Sequence, residues 1–145
     1  MDEEFKEIIM SIIQELEKKF GNNISENINL SNYSWFNLGG PAEYFFKPEN
    51  KDQLLKFLKE NQKNKLKITI LGAGSNTLIR DNGIKGVVIK LGKDFSKIQK
   101  IDKEVIEVGA ATLDKKVANF AEANGIANFE FLACIPGSLG GAVIM

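Results

Sequence analysis

The sequence predicts an α+β fold. Short runs rich in β-branched or aromatic residues have the length of strands, at 43–47, 68–71, 77–80, 87–91 and 105–108. Two segments with apolar residues at helical spacing lie among them, one opening at Asn50 and one at Thr112. Helices and strands follow one another without a regular alternation, so the sequence leaves open whether the strands form one sheet or two.

An amphipathic helix is predicted at the N-terminus, from about Glu3 to Phe20. Its apolar residues recur at helical spacing, at Phe5, Ile8, Ile9, Ile12, Ile13, Leu16 and Phe20. Gly21 is expected to end this helix, because glycine tolerates the left-handed backbone that follows many helices. The Asn- and Ser-rich residues 21–34 are predicted to form a loop that leads to the first strand, which Pro48 closes.

Two further helices are predicted from their caps and apolar faces. Asn50 and Gln53 form a variant of the capping box, and the helix that follows them carries Leu54, Leu55, Phe57 and Leu58. Thr112 is expected to cap the next helix and Gly125 to end it. The apolar face of that helix consists of Val117, Phe120 and Ala121.

Composition and charge exclude several classes of site. Basic and acidic residues number 19 each, so no strong net field favours nucleic acid or an anionic membrane. The chain has no His and a single cysteine, Cys134, which leaves no disulfide and no basis for predicting a metal site. The apolar neighbours of Cys134 predict a packed thiol. No apolar run could span a bilayer and the N-terminus is acidic, so we expect a cytoplasmic protein.

The turn Gly72-Ala73-Gly74-Ser75-Asn76 is the first candidate site. Glycine has no Cβ, so this backbone can turn sharply and approach a ligand, and successive N–H groups can contact phosphate oxygens. The turn is not a P-loop, because no Gly-Lys-Ser/Thr follows. It is not a Rossmann fingerprint either, since Thr77 stands where the third glycine belongs. A tight structural turn is an equally good interpretation of these residues alone.

Two more glycine-containing segments and one arginine are weaker candidates. Residues 135–141 combine Pro136 with three glycines, which leaves room for a flat ring or a pyrophosphate, or else forms a loop before a helix near Leu139. Residues 38–42 read more simply as an ordinary turn. Arg80, the only arginine, suits an anionic partner, although a solvated surface charge fits as well.

In this order and at these spacings, three segments resemble the UDP-N-acetylenolpyruvoylglucosamine reductase family. The residues that carry the resemblance are 34–42, 71–81 and 131–142, and the similarity extends over nearly all of the chain from about Asn32. The first helix falls outside it, so we divide the chain into an N-terminal helix, 1–22, and an FAD-binding domain, 23–145. Asn37 departs from the family, where this position is often basic.

The resemblance implies a fold and a cofactor. The fold is the FAD-binding domain of the vanillyl-alcohol-oxidase (PCMH) type, two small α+β subdomains with the flavin between them. The residues expected to bind FAD are Gly72, Ala73, Gly74, Ser75, Asn76, Thr77, Arg80, Ile135, Pro136, Gly137, Ser138, Gly140 and Gly141. We expect the FAD to be non-covalent, because there is no His for attachment and Cys134 is predicted to be packed.

The resemblance also implies a reaction. NADPH reduces the flavin, which reduces the enolpyruvyl double bond of a UDP-sugar to give UDP-N-acetylmuramate, a precursor of peptidoglycan. The family's serine proton donor and its glutamate belong to a substrate domain that follows the flavin domain, so no catalytic residue is expected among these 145 residues and the chain alone is expected to be inactive. Two alternatives stay open: a non-catalytic module that binds FAD or a nucleotide, and another FAD-linked oxidoreductase of the same fold.

Overall fold

The structure is a computed structural model that describes residue 11, residues 14–15 and residues 17–145. The predicted helix from Glu3 to Phe20 therefore lies mostly outside the described residues, although residues 17–20 are helical. Gly21 follows them with a φ of 56° and opens a 3-10 turn, Gly21–Asn23. This left-handed backbone confirms the expected role of Gly21 at the end of the helix.

A mixed four-stranded sheet forms the first half of the molecule. Its strands are β1 (Ile24–Asn29), β2 (Pro41–Phe46), β3 (Ile68–Ile70) and β4 (Ile84–Ile89), in the order β1-β2-β4-β3. β1 pairs with β2 in antiparallel fashion, whereas β4 runs parallel to both β2 and β3. Helix α1 (Lys51–Asn64) connects β2 to β3. This arrangement brings the carboxyl ends of three parallel strands to one edge of the sheet.

A smaller α+β unit forms the second half. Strands β5 (Ile98–Asp102) and β6 (Val105–Val108) make an antiparallel hairpin, and helix α2 (Asp114–Ala123) packs near it. The short helix α3 (Leu139–Ile144) follows a 3-10 turn at Glu130–Cys134. The strands thus form two sheets, which settles a question that the sequence left open.

Both faces of the four-stranded sheet are buried. Alternate residues of β2 point to opposite sides, so Phe46 packs with Phe57 of α1 at a ring-centroid distance of 4.6 Å, while Phe45 packs on the other face with Leu30 and Leu71. Phe46, Phe57 and Leu30 have no exposed side-chain surface. A third cluster around Val117, Ala118 and Leu132 stabilises the smaller unit.

Four of the five predicted strands are confirmed, 105–108 with the predicted ends and the other three with shifted ends, and the fifth is wrong. Residues 77–80 form no regular strand; instead their main chain contacts the segment 34–40, with the Gly40 N–H donating to the Arg80 carbonyl at 3.0 Å. The loop predicted at 21–34 is also wrong, because it contains β1. Polar residues separate Ile24 and Ile28 of β1, so its sequence resembles that of a loop. The strand is recognisable only from its pairing with β2.

The predicted start of α1 is confirmed and that of α2 is wrong. Asn50 Oδ1 accepts from the Gln53 N–H at 3.0 Å, and Gln53 Oε1 accepts from the Glu49 N–H at 2.8 Å. Leu113, not Thr112, precedes the first helical residue of α2, and no side chain caps it. The Thr112 hydroxyl is buried without a hydrogen-bond partner among the described residues. No helix in the described part of the chain is long and apolar enough to cross a membrane.

Candidate functional site

Two adjoining cavities form a groove between the end of β3 and the start of α3. Their volumes are about 610 and about 630 Å³, within the range of small-molecule sites. The residues that line both are Ile70, Gly72, Ala73, Ser138, Gly140, Gly141 and Ile144. We call the first the lysine cavity, after Lys47, Lys90 and Lys93 in its wall, and the second the Asp114 cavity.

The Gly72 turn is held from behind by the main chain of residues 33–35. The Trp35 N–H donates to the Gly74 carbonyl at 3.0 Å, and Gly74 has a φ of 77°. A Cβ on Gly74 would lie 2.0 Å from the Tyr33 carbonyl oxygen, a distance that no side chain tolerates. Glycine at this position is therefore required by backbone packing inside the protein, whatever the turn binds.

Residues 72–77 line the groove with backbone donors that the fold does not use. Leu71, the residue before them, donates to the Ile89 carbonyl at 2.9 Å and completes the β3–β4 ladder. The N–H groups of Gly72 through Thr77 donate to no other group in the described part of the chain. Backbone donors without protein acceptors need solvent or a ligand, and consecutive ones in a turn suit the oxygens of a phosphate.

The loop before α3 is positioned by a short antiparallel ladder with residues 110–114. The Asp114 N–H donates to the Gly137 carbonyl at 3.2 Å and the Leu139 N–H donates to the Thr112 carbonyl at 2.8 Å. The Gly140 N–H donates to the Ala110 carbonyl at 2.9 Å. Two backbone segments joined by hydrogen bonds therefore form this wall of the groove, and the smaller α+β unit supplies one of them.

A buried acid stands behind this loop. Asp114 has no exposed surface and lines the second cavity, and neither of its carboxyl oxygens has a partner among the described residues. Burial raises the pKa of this carboxyl. Its Oδ2 lies 2.8 Å from where a Cβ on Gly137 would be, so Gly137 leaves the space that the acid occupies. The sequence analysis missed Asp114, because an Asp in the first turn of a helix is normally exposed.

The other cavity has a mainly apolar wall with three lysines in it. Lys90 Nζ donates to the Gly72 carbonyl at 2.5 Å and lies 5.8 Å from the centre of the Tyr33 ring. Burial, and second the charge of Lys47, lower the pKa of Lys90. Sequence analysis missed these lysines too. The sequence does contain one indication of them, because Lys47 and Lys90 each follow a strand directly, and ligands bind at the carboxyl ends of parallel strands.

Nearly all the residues predicted to bind FAD come together around the groove. Those of residues 72–77, of the loop before α3 and of the first turn of α3 line the Asp114 cavity, at Gly72, Ala73, Gly74, Ser75, Asn76, Thr77, Ile135, Pro136, Gly137, Ser138, Gly140 and Gly141. Arg80 lines neither cavity and is exposed, so the structure places it apart from the others.

The segment 34–42 supports the turn from outside the groove. The buried Ser34 hydroxyl donates to the Thr77 carbonyl at 3.3 Å and accepts from the Phe36 N–H at 3.3 Å. Asn37 has a φ of 53°. Asparagine tolerates this left-handed backbone better than most residues, which gives Asn37 a conformational role.

The prediction of a packed Cys134 is wrong, because its thiol is exposed. Cys134 ends the 3-10 turn Glu130–Cys134, in which Leu132 is the buried residue. A turn of this kind directs one apolar side chain inward, so Phe131 next to it is 64% exposed. The apolar neighbours of Cys134 therefore do not enclose it. Of the two grounds for expecting non-covalent FAD, only the absence of His remains, and Cys134 is left as a candidate for attachment.

Comparison with known proteins gives consistent matches. Residues 42–145 match the family model described as an FAD binding domain. A UDP-N-acetylenolpyruvoylglucosamine reductase of Pelagibacter ubique is 53% identical over 132 residues, covering 88% of this chain and 43% of the relative. A reductase of the same name from Rickettsia akari is 52% identical over 120 residues, covering 83% of this chain and 40% of the relative.

A solved structure also matches. The crystal structure of UDP-N-acetylenolpyruvylglucosamine reductase from Thermus caldophilus is similar with a TM-score of 0.65 and 31% sequence identity. The match covers 81% of this chain and 40% of that one. The chain thus spans less than half the length of these relatives. The match agrees with the predicted α+β fold of an FAD-binding domain.

Proposed function

The chain belongs to the FAD binding domain family, and on that premise we propose that the groove between the Gly72 turn and the loop before α3 binds FAD non-covalently. The observation that carries the proposal is the run of unused N–H groups at residues 72–77 beside the two cavities. A pyrophosphate supplies the acceptors that these donors lack. The volume of the two cavities, about 610 and 630 Å³, leaves room for an extended dinucleotide.

The residues that hold the cofactor in this proposal are those of the two glycine-containing walls. The Gly72 turn supplies backbone donors, with Ser75 and Asn76 adding side-chain donors. The Pro136 to Gly141 wall supplies a surface of small residues on which a flat ring can lie. Bound FAD supplies the ability to accept and pass on hydride, and the chain's own residues bind and orient it.

We further propose the reaction in which this portion takes part. Relatives named as UDP-N-acetylenolpyruvoylglucosamine reductases share about half of their residues with the chain over the matched region. On this basis, the chain supplies the flavin-binding portion of an NADPH-dependent enzyme that reduces the enolpyruvyl UDP-sugar to UDP-N-acetylmuramate in the cytoplasm. NADPH and the UDP-sugar are then partners of the whole enzyme.

A substitution at Gly141 tests the binding proposal without disturbing the fold. Gly141 lines both cavities and lies in α3 with a permissive backbone, and a Cβ there would meet only Ser138 Oγ, at 3.5 Å. Gly141→Leu is expected to weaken FAD binding at least about tenfold, because the leucine occupies groove volume. Quenching of flavin fluorescence during titration with the protein measures the affinity.

A matched control separates occupancy of the groove from a general effect of an added leucine. Gln62 is exposed on α1, so Gln62→Leu adds the same side chain elsewhere and should bind FAD like the wild-type chain. Thermal melting without FAD should be similar for all three proteins. Unchanged FAD affinity in folded Gly141→Leu, or a wild-type chain that does not quench flavin fluorescence, would overturn the proposal.

A further inference from the structure

A separate cavity lies at the edge of the sheet opposite to the groove. The groove lies where the parallel strands end, whereas this cavity is lined by the first residues of β2 and β4, Pro41 and Ile84. Its volume is about 200 Å³, below the roughly 300–1,000 Å³ of ordinary ligand sites, so it suits one side chain or a very small molecule. We call it the Tyr44 cavity. It shares no lining residue with the groove, so it is independent of the proposed function.

Two carboxylates line the Tyr44 cavity. Glu26 of β1 pairs directly with Tyr44 of β2, so their side chains lie on the same face of the sheet. The register of β2 against β4 shifts just before Tyr44, and Glu43 at this irregularity accepts from the Gly86 N–H at 2.7 Å. Lys85 lines the cavity too, but neither carboxylate forms an ion pair with it or with any other described residue. The cavity therefore carries an excess of negative charge.

A tyrosine hydroxyl without a partner belongs to the same cavity. Tyr44 is only 7% exposed, yet its hydroxyl forms no hydrogen bond with the described residues. Burial raises the pKa of this phenol, and the charges of Glu26, Glu43 and Glu17 raise it further. The hydroxyl is therefore protonated and lies close to the carboxylates. Because a buried tyrosine hydroxyl normally has a hydrogen-bond partner, this one needs water or a ligand.

The arrangement suits an organic cation better than a metal ion. Ca²⁺ takes about six to eight oxygen ligands and Mg²⁺ demands a nearly ideal octahedron. Here one carboxylate oxygen of Glu43 already accepts from the backbone, and no group of three His, Cys, Asp or Glu side chains in the described part of the chain could hold a metal ion. A primary ammonium group has three N–H donors. Two carboxylates and one hydroxyl supply three acceptors for them.

We propose that the Tyr44 cavity binds an alkylammonium group, which donates to Glu26, to the second oxygen of Glu43 and to the Tyr44 hydroxyl. The two carboxylates supply the attraction. The small volume limits the ligand to a short amine or to the end of a lysine side chain. These two sources present the same ammonium group, so separate probes are needed to distinguish them.

NMR of labelled tyrosine rings tests this site in the whole chain near pH 7 and at low salt. The chain has two tyrosines, so Tyr33 serves as an internal control. The probes are 1,4-diaminobutane and Nα-acetyl-lysine methylamide. A probe that binds is expected to shift the signals of Tyr44 and to leave those of Tyr33 unchanged. Glu26→Gln and Glu43→Gln should each weaken its affinity about threefold or more, and added salt should weaken it in the wild-type chain.

Matched controls separate the site from general charge effects and from folding. Glu104 is exposed in the turn between β5 and β6, so Glu104→Gln removes one negative charge elsewhere and should bind the probes like the wild-type chain. Thermal melting without amine reports folding. If Glu43→Gln does not fold because its bond to Gly86 is weakened, Glu26→Gln decides, since Glu26 is exposed. Saturating FAD should leave the amine affinity unchanged, because the groove lies at the opposite edge of the sheet.

The outcomes support or overturn the proposal as follows. Binding of the lysine derivative supports the site and extends it to lysine side chains of other proteins, whereas binding of the diamine alone supports a site for free amines. Tyr44 signals that neither probe moves, up to about 20 mM, overturn the proposal. An affinity that both folded Glu→Gln variants retain in full also overturns it, as does an equal shift with CaCl₂ or loss of the amine on adding FAD.

Discussion

At the scale of single residues, the glycines around the groove differ in what prevents their replacement by a residue with a side chain. Gly74 is limited by the protein's own backbone, since a Cβ there would lie 2.0 Å from the Tyr33 carbonyl oxygen at a left-handed φ. Gly141 has no such limit, because its nearest neighbour is the Ser138 hydroxyl at 3.5 Å. A substitution at Gly74 therefore reports on folding, and one at Gly141 reports on the groove.

We expect Gly74→Ala to lower the free energy of unfolding by about 2 kcal/mol or more without any ligand, from backbone strain and the clash with Tyr33. Gly141→Ala should be neutral or raise stability by up to about 1 kcal/mol, since alanine is the better helix former. Urea denaturation in the absence of FAD measures both. Equal effects of the two substitutions would contradict this account of the turn.

Asp114 makes stability depend on pH. Burial raises its pKa above the ordinary value of 3.8, so the folded chain binds this proton more tightly than the unfolded chain does. The charged carboxyl therefore destabilises the fold as the pH rises from about 4 through the raised pKa. Asp114→Asn is expected to raise the free energy of unfolding by about 1 to 3 kcal/mol at pH 7, and the gain should vanish near pH 4.

Urea denaturation between pH 4 and pH 8 measures this dependence, with Asp52 as the matched control. Asp52 is exposed in the first turn of α1, where a negative charge is favourable. Asp52→Asn should lower stability slightly at pH 7, by about 0.5 kcal/mol. A gain for Asp114→Asn that does not change with pH would show that the substitution acts by something other than loss of the buried charge.

At the scale of elements, the sequence predicted best those that carry their own signals. The second halves of β2 and β4, residues 44–46 and 87–89, are buried and appear as continuous apolar runs, and α1 begins with a recognisable cap. β1 and β5 were missed, because polar residues interrupt both strands and their pairing comes from a neighbouring strand. Residues 77–80 have strand composition, but the segment 34–40 holds them in an irregular conformation.

The cap of α1 gives a test at this scale. Asn50 Oδ1 accepts from the Gln53 N–H, and Asn50→Ala removes that acceptor from the first turn. We expect a loss of about 1 kcal/mol in the free energy of unfolding, while Asn50→Asp should stay close to wild type. Chemical denaturation without FAD compares the three chains. Equal losses for Ala and Asp would mean that the side-chain acceptor does not stabilise the helix.

At the scale of the whole molecule, the site depends on a strand order that could not be predicted from the sequence. The two glycine-containing walls could be predicted, because glycine and proline mark them locally. Lys47, Lys90 and Asp114 could not, because parallel pairing and burial give them their surroundings. A lysine after a strand and an acid at a helix start are ordinary in sequence, and their place beside the groove becomes visible only once the strands are ordered.

The mode of attachment is a property of the whole protein. We expect FAD to be released into the supernatant when the loaded chain is precipitated with acid, since the sequence contains no His. Absorbance at flavin wavelengths in the two fractions measures the release. The exposed Cys134 is the remaining candidate for a covalent bond, so Cys134→Ser is the control. Flavin that stays in the wild-type pellet and leaves the Cys134→Ser pellet would contradict non-covalent binding.

The central claim is that FAD lies against the Gly72 turn and the loop before α3, and hydrogen exchange tests it most directly. The N–H groups of residues 72–77 have no acceptor among the described residues, so they should exchange quickly in the free chain. Saturating FAD is expected to slow exchange in 72–77 and in 135–141, and to leave the β5–β6 hairpin unchanged. Exchange in 72–77 that FAD does not slow, or slowing confined to other segments, would contradict the account.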